Sequence, residues 1–277
     1  MKKILVPVDF SNHSEYALKT ASILAKKWNA SIVALHMLGI SEAVFTKEDS
    51  EDIPKGIYFM KLAEKRFNDF LDRDYLEGVS IETTVQNHTE FNKIDEVAKK
   101  CNADLIVMGS HGASGMKEVF VGSNTEKVVR TSSVPVLVIK NKMNDFYMNK
   151  VVFACDFNLD YLPSFKKAYQ FFNALNIKLQ LVFVNLPEKF ISTEEMEERA
   201  LKFMLNTGIE NTDLFDDIVY YADYSLESGI YNFCNKFDAD LLVIPTHGRK
   251  GLAHFFSENL GEALVNHVQL PIMTFKI

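Results

Sequence analysis

The chain repeats itself. Asp104-Leu105-Ile106-Val107-Met108-Gly109-Ser110-His111-Gly112 returns as Asp240-Leu241-Leu242-Val243-Ile244-Pro245-Thr246-His247-Gly248, and Val134-Pro135-Val136 returns at the same offset as Leu270-Pro271-Ile272. The opening Lys3-Ile4-Leu5-Val6-Pro7-Val8-Asp9-Phe10-Ser11 has its counterpart in Lys150-Val151-Val152-Phe153-Ala154-Cys155-Asp156-Phe157-Asn158. Self-similarity on this scale makes the chain an internal duplication, so a fold assigned to one half has to serve both. With 277 residues and 47% hydrophobic content, there is apolar material for two cores of ordinary size. The domains are expected at residues 1 to 145 and 146 to 277. The join, Asn141-Lys142-Met143-Asn144-Asp145, is short and polar, which predicts halves packed together rather than loosely tethered.

Within each half, runs of Val, Ile and Leu alternate with longer amphipathic stretches. That is the pattern of a parallel sheet buried under helices on both faces. Strands are predicted at residues 3 to 8, 31 to 38, 79 to 86, 104 to 109 and 135 to 140, with helices at 12 to 28, 57 to 76, 90 to 101 and 123 to 132. The second half is predicted to carry strands at 150 to 155, 177 to 184, 215 to 221, 240 to 245 and 271 to 276. Its helices are expected at 160 to 175, 192 to 207, 225 to 237 and 258 to 267. The fold class is therefore α/β, with two tandem open parallel five-stranded sheets, Rossmann-like in layering.

Three glycines mark where chemistry enters. Gly109, Gly112 and Gly122 lie between an apolar run and a helical pattern, and Ser123-Asn124-Thr125 follows where the helix begins. Glycine lets backbone N–H groups approach an anion without a Cβ in the way, and a helix N-terminus adds free donors and a positive dipole end. The second half has lost this outline: Gly109 has become Pro245, Gly122 has become Glu258 and Ser123 has become Asn259. Proline lacks the N–H, and a carboxylate repels phosphate. One working nucleotide site and one ruined site are expected. Ligands of open parallel sheets bind beyond the carboxyl ends of the strands, where strand order reverses. Asp9 ends the first strand and Gly109 the fourth. If these strands are neighbours, both face one crevice, with adenine beside Val8, Asp9 and the end of the second strand at His36-Met37.

Other features narrow the function class. Cys101, Cys155 and Cys234 are odd in number and lack CxxC spacing, which argues against disulfides and against zinc. Residues 1 to 145 hold 19 Lys and Arg against 20 Asp and Glu, leaving 11 against 17, so the acidic excess lies in the second half. No basic stripe with interleaved aromatics is present, and nucleic acid is not expected as a partner. No apolar segment reaches the roughly 20 residues that span a bilayer, and Met1-Lys2-Lys3 leads straight into a strand, so a cytoplasmic protein is expected, with no membrane partner. His111 and His247 recur without a nucleophile and carboxylate placed to form a triad, and read as loop histidines. Glu194-Glu195-Met196-Glu197-Glu198 reads as the charged first turn of a solvated helix, and Tyr169-Gln170-Phe171-Phe172 as core. His254-Phe255-Phe256 falls where the first half keeps its phosphate loop, so an apolar cavity or partner surface is a candidate replacement there. No catalytic residue and no metal ligand is assigned, since no arginine finger, water-orienting glutamine or GK[ST] lysine is evident.

At these motifs the chain resembles the universal stress protein A family, whose nucleotide-binding members carry G-x2-G-x9-G-[ST] after the fourth strand; here that is Gly109, Gly112, Gly122 and Ser123. The resemblance covers the chain as a tandem pair, and it implies the adenine nucleotide α-hydrolase-like variant of the layered fold. It places Asp9 against adenosine, Gly109 by the ribose, and Gly112, Gly122, Ser123 and the N–H of Asn124 on the phosphates. Pro7, Val8, Met37 and Met108 complete the candidate cofactor-binding set. The implied ligand is ATP, with AMP or ADP as alternatives, and with Mg2+ bridging the phosphates. The implied role is stress-response regulation through nucleotide binding in the first half, with weak ATP hydrolysis at most. A non-nucleotide scaffold or small-ligand stress protein is the alternative. Similar tandem proteins pair their halves as a pseudo-dimer through the last strands, and a homodimer is also compatible.

Overall fold

A computed structural model describes residues 1–38, 52–86, 93–110, 123–209, 217–246 and 270–277, with residues 52–57 and Ser123 described by their backbone only. The chain divides near Phe146 into two compact units. In the first, β1 (Lys3–Pro7), α1 (Asn12–Trp28), β2 (Ser31–Met37), α2 (Asp52–Leu71), β3 (Ile81–Gln86), α3 (Ile94–Lys100), β4 (Leu105–Gly109), α4 (Ser123–Thr131) and β5 (Val136–Ile139) follow one another. The second contains β6 (Val151–Ala154), α5 (Leu162–Asn173), β7 (Leu179–Asn185), α6 (Thr193–Thr207), β8 (Ile218–Ala222), α7 (Leu226–Phe237), β9 (Leu241–Thr246) and β10 (Ile272–Lys276). The helix predicted at 258 to 267 lies outside the described residues.

All pairings in the first sheet are parallel, in the order β3-β2-β1-β4-β5, with Lys3 opposite Ser31, Ile4 opposite Leu105 and Ile106 opposite Val136. The second sheet repeats it as β8-β7-β6-β9-β10. The central strands are buried on both faces, as continuous apolar runs require: Ile4, Leu5, Val6, Ile106 and Val107 are inaccessible to solvent, whereas β3 and β8 are partly exposed. α1 shows how the sequence sets a boundary. The Ser11 side chain accepts from the Ser14 N–H, Ala17, Leu18, Ala21, Leu24 and Ala25 form its buried stripe, and Asn29 ends it in the left-handed region.

One repeated residue of the sequence has a purely architectural role. Asp104, just before β4, accepts backbone N–H bonds from Lys2 and Lys3 at 2.5 and 3.0 Å, and Asp240 accepts from Asn149 and Lys150 at 2.9 and 3.0 Å. Each carboxylate satisfies donors at the start of the neighbouring central strand. Asp104→Ala and Asp240→Ala are each expected to cost about 1–3 kcal/mol, the scale of losing charge-assisted hydrogen bonds to main chain. Denaturant unfolding with amide exchange at the starts of β1 and β6 measures it, and unchanged protection at both would disprove the role.

Candidate functional site

The adjacency on which a crevice depends is present. β1 pairs with both β2 and β4, so strand order reverses between β1 and β4, and Asp9 and Gly109 leave their strands at the same edge of the sheet. Pro7 and Val8 end β1, with the Val8 N–H donating to the Leu35 carbonyl at 2.7 Å, while Met37 ends β2 and Met108 precedes Gly109 in β4. α4 starts at this edge because the buried Thr125 hydroxyl donates to the Gly109 carbonyl at 2.8 Å. That bond seats the first turn of α4, with Ser123 and Asn124, over the exit of β4. The structure therefore gathers Pro7, Val8, Asp9, Met37, Met108, Gly109, Ser123 and Asn124 at one end of one sheet. Gly112, Gly122 and His111 lie outside the described residues, as do His247, Gly248, His254, Phe255, Phe256, Glu258 and Asn259 of the second half.

Two of these residues have structural duties of their own. A Cβ on Gly109 would stand 2.7 Å from the carbonyl oxygen of His13 and 2.8 Å from its carbonyl carbon. Glycine is required there by the approach of α1, whatever ligand lies beyond. Asp9 closes a local turn: its Oδ1 accepts from the Ser11 N–H at 3.0 Å and from the Ser11 hydroxyl at 2.6 Å. It thereby orients the Ser11 cap of α1. Asp156 repeats the turn, accepting from the Asn158 N–H at 3.0 Å.

In the second unit the position of Gly109 is taken by Pro245, and the helix that follows β6 begins later, after a 3-10 turn at Leu159–Tyr161. The missing N–H of Pro245 leaves no gap in the sheet. Leu242 donates to the Pro271 carbonyl and Thr246 accepts from Ile277, so even-numbered residues of β9 face β10 and Pro245 faces β6. The ladder with β6 ends at Phe153 opposite Val243, short of the proline.

The sequence placed His36, at the end of the second strand, beside the adenine, but did not disclose its partner or the roles of Thr125 and His13. His36 Nδ1 lies 2.7 Å from the Val8 carbonyl oxygen, a contact that needs the proton on Nδ1. The imidazole lies tilted against Phe10, with ring centres 4.6 Å apart; Phe10 also meets Phe67 and Phe70 edge-on, with the Arg66 guanidinium 5.8 Å over its ring. Burial pulls the His36 pKa below 6.5; the Val8 carbonyl pulls it up, and Arg66 lowers it. The native state thus resists a proton that the unfolded chain accepts. The His36 contribution to stability is complete above pH 6.5 and is lost as pH falls from 6.5 toward the lower folded value. An imidazole titration by NMR is expected to show a midpoint below 6.5, and a midpoint above it would reverse the assignment.

The three cysteines are free thiols. Burial raises all of them, Cys234 to about 12, so they stay protonated. Among the described residues no group of three or more His, Cys, Asp or Glu is arranged to hold a metal, and no helix is long and apolar enough to cross a membrane.

The model of the universal stress protein family matches residues 1–140 and again residues 148–276. The chain belongs to the universal stress protein family. Its relatives match one half at a time. Universal stress protein MJ0531 of Methanocaldococcus jannaschii is 32% identical over 152 residues, covering 50% of this chain and 82% of the relative. Universal stress protein MJ0577 of the same organism is 29% identical, covering 51% and 96%. The crystal structure of a universal stress protein from Archaeoglobus fulgidus DSM 4304 spans both halves, covering 99% of this chain and 96% of that one. Its TM-score is 0.63 at 19% identity, which is a likeness of fold. The chain is thus a tandem member of the family.

Proposed function

We propose that residues 1 to 145 form an adenine-nucleotide-binding domain, that residues 146 to 277 form a domain whose nucleotide motif has degenerated, and that the protein acts in stress-response regulation by binding ATP. The observation that carries the reading is the reversal of strand order between β1 and β4, with Asp9 and the first turn of α4 brought to that edge. A helix N-terminus held over a strand exit favours an anion through its N–H donors and its dipole, which suits a phosphate tail. Gly112 and Gly122 supply the rest of the G-x2-G-x9-G-[ST] pattern in the sequence. Val8, Asp9 and Met37 are the residues assigned to the base and ribose side. A Mg2+ ion accompanying the nucleotide would neutralise phosphate charge, and no residue of this chain is assigned to hold it.

The deciding experiment is mass spectrometry of small molecules released from the purified, denatured full chain, with calorimetric titration of ATP, ADP, AMP and GTP into the stripped protein. An adenine nucleotide in stoichiometric amount, or saturable ATP binding in preference to GTP, is the expected result. A protein that is nucleotide-free and silent to ATP overturns the proposal, and equal binding of GTP removes the base assignment.

A further inference from the structure

The second sheet carries a cavity of about 520 Å³ at the carboxyl ends of β6, β7 and β9, beside the start of α7. Its volume is that of a small-molecule site. The deep surface is apolar, formed by Val182 and Val184 of β7, Ile230 of α7 and Ile244 of β9, all but one of them buried to within a few per cent. Two phenol rings, Tyr161 and Tyr224, stand along its walls, and the Tyr224 side is open, with that residue 92% exposed.

The chemistry of the rim is opposite to that of an anion site. Asp156, Glu188 and Glu227 line it against a single cation, Lys189. The α7 N-terminus does not favour an anion either, because the Ser225 hydroxyl caps the Ser228 N–H and Glu227 already sets a negative charge in the first turn. Pro245, in the same lining, has no N–H to give. An apolar floor, aromatic walls and surplus carboxylates form the recognition set of an organic ammonium group on a flat apolar body.

We propose that this cavity binds a small aromatic organic cation that carries no phosphate. The ammonium lies toward Glu188 and Asp156, and the ring lies against Tyr224 over the valine and isoleucine floor. The inference concerns the second unit alone and is independent of nucleotide binding by the first.

Three probes with one ring and different charges test it on the full chain: tryptamine, 3-methylindole and indole-3-acetate, titrated by saturation-transfer NMR. Tryptamine is expected to bind saturably and indole-3-acetate about tenfold more weakly, the combined scale of a partly exposed ion pair and a cation–π contact. The neutral probe should fall between them. Tyr224 and Glu188 are both exposed, so their replacement leaves the core intact. Tyr224→Ala should weaken tryptamine several-fold, Glu188→Lys should abolish the preference for the amine over the acid, and excess ATP should not displace tryptamine. The proposal is overturned by absent tryptamine binding, by equal affinity for amine and acid, by unchanged affinity in Tyr224→Ala, or by displacement with ATP. Each of these outcomes leaves the ATP titration of the first unit to be judged separately.

Discussion

Gly109→Ala is expected to lower the stability of the first unit by about 2 kcal/mol, at the middle of the range for an overpacked core. The added methyl meets main chain, 2.7 Å from the His13 oxygen and 2.8 Å from its carbonyl carbon, so no rotamer change relieves it. α1 has to move off β4. Reduced freedom of the unfolded chain offsets this by only about 0.4–1 kcal/mol. A shift of α1 also disturbs the Ser11 cap and the Asp9 turn joined to it, so the variant is expected to lose order at the exit of β1 as well. Trp28, the only tryptophan, ends α1 and reports this unit selectively in a denaturant titration followed by fluorescence. An unchanged midpoint would show that the helix yields without cost and that Gly109 is glycine for another reason.

That contact also explains what the sequence did and did not disclose. Among the described residues each predicted strand is present, the central ones because a strand buried on both faces reads as a continuous apolar run; the outer strands β3 and β8 are partly exposed and carry polar residues. The bounds of α1 came out as predicted, since Ser11 at its start and Asn29 past its end are local signals. α2 was read at 57 to 76 and runs Asp52–Leu71, followed by a 3-10 turn at Asp74–Leu76. Pro54 lies in its first turn, where no N–H is needed, and Arg73 breaks the run in extended conformation. The site was legible as a pattern but not in its reasons. Gly109 meets His13, Thr125 holds the Gly109 carbonyl, and His36 holds the Val8 carbonyl. Each of these is a contact between residues far apart in the chain, to which periodicity and spacing are blind.

Phe157→Ala is expected to cost about 3–5 kcal/mol, the scale for truncating a buried phenylalanine. Its ring is 2% exposed, stacked at 6.0 Å on Phe183 and edge-on to Phe203 at 5.6 Å. The backbone makes an unusual second prediction. Phe157 has φ 55 and Phe10 has φ 63, a left-handed conformation that costs a residue with a Cβ about 1–2 kcal/mol. Phe157→Gly loses the same ring but sheds that strain, so it should be less destabilised than Phe157→Ala by about 1 kcal/mol, the reverse of the usual order. Hydrogen exchange of amides in β7 and α6 measures both variants, and a glycine variant weaker than the alanine one would show that the aromatic packing holds no strain at this turn. The strain serves the same end in both units. A left-handed residue after the aspartate turns the chain back, so that Asp9 reaches the Ser11 N–H and Asp156 the Asn158 N–H at the same 3.0 Å. The turn persists in the second unit, where Pro245 replaces the first glycine of the motif. Recurrence of the aspartate turn shows that the turn alone does not mark a nucleotide site, so the nucleotide reading depends on its combination in the first unit with Gly122 and Ser123, which the second half replaces with Glu258 and Asn259.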